Sequence, residues 1–170
     1  MALSRFQIGI IGLGNLGQAL LNNFLPRAQS KILLGHSIKD LEYVAQNRSS
    51  CNFNRMDNRT LAQNVDMLVL AVNSGNIAEV CLEIRPKLKK QTLIIAVTAD
   101  VSMANYQLWL GQRPIVKALL PSVAQIGTQI VPIYHNSLLN NTQLLLVNHF
   151  FHPKLLHWVD NEAELDKVKS

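Results

Sequence analysis

The period of the apolar positions changes repeatedly along this chain, and each change predicts a new element. Residues 6–11 form a short β-branched apolar run, the pattern of a strand buried on both faces. Beyond it, Ala19, Leu20, Leu21, Phe24 and Leu25 fall on one helical face over residues 18–25, and Pro26 closes that helix. A second strand is expected over 31–34 and a second helix over 37–46. Further strands are expected over 66–72, 92–97, 114–119, 129–134 and 155–159. Helices are expected over 77–88 with Pro86 in its last turns, over 102–110 ended by Gly111, over 138–151, and over 161–169. Strand and helix alternating at this spacing predict an α/β fold, a doubly wound and mostly parallel sheet with helices on both faces. The length of 170 residues fits one domain, residues 1–170, with no internal repeat or linker.

Between the first strand and the first helix stands Gly12-Leu13-Gly14-Asn15-Leu16-Gly17. GxGxxG alone is a weak signal, but a strand before it and a helix after it make it informative. Gly12 permits the tight turn, Gly14 lets the backbone approach a pyrophosphate, and Gly17 lets helix pack on strand. The helix N-terminus then offers unpaired N–H groups and a positive dipole to phosphates. A Rossmann-like domain holding a dinucleotide is the expectation, Gly12 to Gly17 being its phosphate loop.

The end of the second strand selects the cofactor. NAD-binding domains place Asp or Glu there for the ribose hydroxyls. Here the sequence is Leu34-Gly35-His36-Ser37, with no acid from residue 15 to residue 39. A 2′-phosphate is tolerated where no carboxylate repels it, so NADP is expected over NAD, with His36, Ser37 and Lys39 as donors. Ser37-x-x-Asp40 is also a helix capping box, and the two roles coexist at a helix start facing the cleft.

Composition narrows the rest. Hydrophobic residues make up 48% and charged ones 16%, which argues for a packed core and against disorder. The formal charge of +5 comes from scattered basic residues. Only Lys87, Lys89 and Lys90 cluster, where a helix should end and cations suit its dipole. Nucleic acid is therefore not expected as a partner. Cys51 and Cys81 lack CxxC spacing and read as reduced thiols of a cytoplasmic protein. No apolar stretch approaches the ~18 residues of a membrane span, and glycines interrupt the N-terminal run that a signal peptide would need. His149, His152 and His157 have no Cys, Asp or Glu among them, so no metal is expected. Residues 101–159 hold no Asp or Glu at all, and no catalytic residue can be named. Trp109 and Trp158 read as packing residues.

Residues 6 to about 168 resemble the N-terminal domain of the pyrroline-5-carboxylate reductase family. The resemblance is carried by Ile8-Gly9-Ile10-Ile11-Gly12-Leu13-Gly14-Asn15-Leu16-Gly17-Gln18-Ala19-Leu20 and by Asp66-Met67-Leu68-Val69-Leu70-Ala71-Val72. Val101-Ser102, Trp109-Leu110-Gly111, Arg113-Pro114-Ile115-Val116-Lys117-Ala118 and Leu120-Pro121 continue it, as do Trp158-Val159-Asp160-Asn161-Glu162 and Leu165-Asp166-Lys167-Val168. The resemblance implies hydride transfer from NADPH to a cyclic imine, the last step of proline synthesis. It places Asn58 on the adenosine side, Ala71, Val72 and Asn73 along the cofactor, and Thr98, Ala99, Pro121 and Ser122 nearer the nicotinamide. Asn73-Ser74 stands where the family usually has Lys-Pro. Thr98-Ala99-Asp100-Val101 stands for Ala-Ala-Gly-Val, and Leu120-Pro121-Ser122-Val123-Ala124 for Met-Pro-Asn-Thr-Pro. The family's helical substrate and dimer domain would follow Ser170, with residues 155–170 as the connection to it. A divergent or truncated reductase, and a non-catalytic NADP-binding module that senses cofactor or serves a protein partner, are the two functional expectations. Self-association through the apolar segment 143–158 is a third expectation.

Overall fold

The computed structural model describes residues 6–23, 31–35 and 53–168. Within them eight strands form one sheet: β1 (Gln7–Ile11), β2 (Lys31–Gly35), β3 (Phe53–Met56), β4 (Met67–Leu70), β5 (Leu93–Ala96), β6 (Ile115–Ala118), β7 (Val131–His135) and β8 (Leu156–Trp158). Their order is β3-β2-β1-β4-β5-β6-β7-β8. The first six strands are parallel, β7 pairs antiparallel with β6, and β8 pairs parallel with β7. The helices described are α1 (Asn15–Asn23), α2 (Asn58–Asn64), α3 (Ser74–Ile84), α4 (Met103–Leu110), α5 (Asn141–Phe151) and α6 (Glu162–Val168). The expected α/β class and mostly parallel sheet are present.

Alternation along the strands divides the core in two. Ile8, Ile10, Met67, Val69, Leu93, Ile95 and Val116 pack with Ala19, Leu20 and Leu21 of α1 and with Leu146, Val147, Phe150 and Phe151 of α5. Ile11, Leu68, Leu70, Ile94, Ala96 and Ile115 pack with Leu61, Ile77, Cys81, Ile84, Tyr106 and Leu110 of α2, α3 and α4. Both faces are covered, which is why β4 and β5 read as unbroken apolar runs. Each fully buried Leu or Ile contributes about 1.5–3 kcal/mol. Most apolar side chains of 143–158 are spent in this core, while Leu145 remains exposed.

Several boundaries differ from the sequence expectation. Helix α1 starts at Asn15 rather than residue 18, because Leu16 stands alone among Asn15, Gly17 and Gln18 and makes no apolar period. Helix α3 runs Ser74–Ile84 rather than 77–88, since Pro86 has no N–H with which to continue the ladder. Lys89 serves no helix end. Its Nζ lies 2.9 Å from Asp66 Oδ1, while Asp66 Oδ2 accepts the Gln7 N–H at 2.9 Å. Arg113 does that work instead. It donates to the carbonyls of Leu110 at 2.7 Å, Lys89 at 2.7 Å and Arg85 at 3.2 Å, gathering the C-termini of α3 and α4. The apolar pattern predicts neither β3 nor α2. The helix expected over 37–46 and Cys51 lie outside the described residues.

Burial pushes the Cys81 thiol up from 9.0 to about 12 and also raises the Tyr106 hydroxyl. Both groups hold protons in the folded chain at a pH where the unfolded chain has lost them. Stability is therefore fully present below about pH 9 and falls as pH rises toward about 12. Urea midpoints at about pH 8 and about pH 10.5 are expected to show this fall, and Tyr106→Phe to lessen it. A midpoint flat across that interval would contradict the burial.

Candidate nucleotide-binding cleft

The chain reverses its direction of travel across the sheet at β1. Strands β2 and β3 lie on one side of it, and the chain then returns to lay β4 on the other. The carboxyl ends of β1 and β4 consequently open onto a crevice that no crossover covers, the place where open α/β sheets take ligands. A cleft of ≈ 770 Å³ occupies it. Three loops form its walls: Gly14, Asn15 and Leu16 after β1, Ala71 to Ser74 after β4, and Val97 to Asp100 after β5. Leu120 and Val123, beyond β6, close one side.

The glycines divide their labour. Gly12 has φ of 92°, and a Cβ there would lie 2.5 Å from the Ala71 carbonyl oxygen. At Gly17 a Cβ would stand 1.9 Å from the Gly12 carbonyl oxygen, so α1 leans directly on the turn. Gly14 differs, since nothing lies within 4 Å of the Cβ it lacks. Two glycines thus hold helix against strand, and the third leaves open space on the cleft. Leu13 points inward at 1% exposure, and its carbonyl accepts from Gln18 Nε2 at 2.9 Å. Only its backbone can face a ligand.

The first intrahelical bond of α1 runs from the Gln18 N–H to the Gly14 carbonyl at 3.0 Å. The N–H groups before it have no acceptor within the helix, and no acid stands in the first turn. That end is positive and donor-rich. The first turn of α3 also lacks an acid, and Asn73 at its N-cap makes no side-chain capping bond. Thr98 Oγ1 donates to the Val72 carbonyl at 2.7 Å, locking the loops after β4 and β5 together.

On the far side, Asn58 opens α2 beside the end of β2. Its Nδ2 donates to Glu83 Oε2 at 3.2 Å, and its buried Oδ1 has no partner among the described residues. That oxygen would lie 2.7 Å from a Cβ on Gly35, the last residue of β2. His36, Ser37 and Lys39 come next in the chain and lie outside the described residues. Pro121 faces a neighbouring apolar groove with Leu119 and Ile130. Ser122 Oγ donates to Gln125 Oε1 at 2.8 Å. Neither lines the cleft, although Leu120 and Val123 on either side of them do.

The structure therefore brings together Gly14, Asn15, Leu16, Ala71, Val72, Asn73, Thr98 and Ala99, with Gly12 and Gly17 beneath them. Ser74, Val97, Asp100, Leu120 and Val123, to which the sequence assigns no cofactor contact, also line the cleft. Their common signal is position, each lying just past the carboxyl end of a strand. Among the described residues no three or more His, Cys, Asp or Glu gather as metal ligands. No described helix is long and apolar enough to cross a membrane.

Residues 7–100 match the family model described as NADP oxidoreductase, coenzyme F420-dependent. Pyrroline-5-carboxylate reductase of Pseudomonas aeruginosa is 24% identical over 169 residues, covering 98% of this chain and 62% of the relative. The Escherichia coli enzyme of the same name is 27% identical over 137 residues, covering 78% of this chain and 50% of its own length. Among solved structures, a pyrroline-5-carboxylate reductase from Coxiella burnetii superposes with a TM-score of 0.83 at 26% identity, over 96% of this chain and 62% of that one. The Plasmodium falciparum pyrroline carboxylate reductase with NADP bound gives 0.71 at 20% identity, over 92% and 58%. The chain spans at most 62% of the length of these relatives.

Proposed function

The chain belongs to the NADP oxidoreductase, coenzyme F420-dependent family, and on that premise we propose that it is the cofactor-holding domain of an NADP-dependent reductase acting on a cyclic imine, as in the conversion of pyrroline-5-carboxylate to proline. The observation that carries this reading is the glycine loop. Gly12 and Gly17 are closed by backbone contact, while Gly14 alone opens onto the cleft. A turn serving only to join strand and helix has no need of that opening.

When bound, the cofactor supplies a hydride carried on its nicotinamide ring. The chain's own residues supply position. Backbone N–H groups at Gly14, Asn15 and Leu16 take the pyrophosphate at the positive end of α1. Asn58, beside the end of β2, stands on the adenosine side. His36, Ser37 and Lys39 receive a 2′-phosphate, which the absence of any acid from residue 15 to 39 permits. Ala71, Val72, Thr98 and Ala99 shape the wall along the other half of the cofactor, held in register by the Thr98 bond to Val72.

A second reading, a module that binds cofactor without turnover, is favoured by the polar replacements Asn73-Ser74 and Thr98-Ala99-Asp100 on the reactive side. One assay separates the two. The purified chain is mixed with NADPH and pyrroline-5-carboxylate, and both cofactor absorbance and proline are followed. Stoichiometric proline formation supports the reductase. Saturable NADPH binding with no proline supports the module instead.

A further inference from the structure

Asp100 lies two residues past the Thr98 anchor and immediately before the buried Val101, which is 6% exposed. Ser102 then caps α4 by accepting the Asn105 N–H at 3.2 Å. The short turn is thus fixed on both sides, and the carboxylate it carries is exposed on the cleft wall. Among the described residues Asp100 has no hydrogen-bond or ion-pair partner, and it is the one cleft-lining residue with a formal charge.

The topology says which half of a dinucleotide meets it. With the pyrophosphate on the N-terminus of α1, the half bearing the selecting ribose extends toward the end of β2, beside Asn58. The nicotinamide half must then extend the other way, over the loops after β4 and β5. Those loops include Asp100. The oxidised ring carries a positive charge and the reduced ring is neutral, whereas the phosphates are the same in both forms. A carboxylate on this wall consequently distinguishes the two redox states through the ring alone.

We propose that Asp100 makes the cleft selective for redox state, its carboxylate favouring NADP⁺ over NADPH. The inference rests on the dinucleotide reading of the cleft. Repulsion between Asp100 and the phosphates weakens both forms alike and cancels in their ratio. At an exposed site the attraction to the ring is screened by water and salt, and a factor of about three to ten is the expected size.

The carboxylate also precedes the positive end of α4, a merely structural role that would stabilise the helix and leave redox preference untouched. Titration calorimetry of the full chain with NADP⁺ and with NADPH, for wild type and Asp100→Asn, distinguishes these. The ratio of the NADP⁺ to the NADPH association constant is expected to fall about three- to tenfold in the variant, and less at high salt. The thermal midpoint of the variant should stay near that of wild type. An unchanged ratio overturns the proposal while leaving the cofactor site standing. Failure of wild type to bind either nucleotide overturns the dinucleotide reading, and the proposal falls with it.

Discussion

Replacing Glu162 with alanine is expected to destabilise the fold by about 3–5 kcal/mol, the cost of leaving a buried cation without its counter-charge. The side chain of Lys117 is 3% exposed, and its Nζ lies 2.5 Å from Glu162 Oε1. The same oxygen accepts the Met103 N–H at 2.8 Å, so one carboxylate ties β6, the first turn of α4 and the first turn of α6 together. Removing Lys117 instead is less costly. Glu162 is 26% exposed and keeps both water and the Met103 N–H. Urea unfolding near neutral pH should therefore rank the single variants Glu162→Ala well below Lys117→Met. Losses under about 1 kcal/mol for both would show that the pair behaves as a surface contact, and equal larger losses would contradict the ranking.

The glycine loop yields the second large effect, and it is a dissociation of stability from binding. Gly17→Ala drives a methyl group into the Gly12 carbonyl at 1.9 Å, a backbone clash that no rotamer relieves. A loss of about 3 kcal/mol or failure to fold is expected from such overpacking. Gly14→Val places its side chain in open space, at a position without positive φ, and should change stability by no more than about 1 kcal/mol. It should nonetheless weaken dinucleotide binding at least about 100-fold, or about 2.7 kcal/mol, because the side chain fills the approach to the backbone. Thermal melts and nucleotide titrations of both variants check this. A Gly14→Val protein that binds as well as wild type would reduce the loop to a connection between strand and helix.

The parts of the molecule that were legible in the sequence are those specified by local rules. Gly12 and Gly17 are set by backbone sterics at single positions, so the motif, with a strand before it and a helix after it, announces the turn. Strands β1, β4 and β5 are buried on both faces and show as continuous apolar runs. Helix α2 escaped notice because only Leu61 and Ala62 are buried within it, too few for a helical period. Asp57 in fact caps it, accepting the Thr60 N–H at 3.0 Å, but three residues on it has Thr60 rather than the Glu or Gln of a capping box. The antiparallel course of β7 was equally hidden, since alternation of side chains does not encode strand direction.

The site was half legible for a related reason. The glycine loop could be named from the motif and the loops after β4 and β5 from the resemblance, whereas the return of the chain across the sheet decides that Leu120 and Val123, not Pro121 and Ser122, reach the cleft. The Lys117–Glu162 pair spans 45 positions, and no local pattern connects its members. Lys117 even interrupts an apolar strand, a signal that a buried partner must exist without saying where.

Calorimetric titration of the purified 170-residue chain with NADPH and with NADH tests most directly whether this cleft holds a nicotinamide dinucleotide. Saturable binding of NADPH at one site per chain, with NADH at least about tenfold weaker (about 1.4 kcal/mol), is the predicted result. A folded chain, verified by its cooperative melt, that gives no binding heat and no thermal shift with either nucleotide would contradict it.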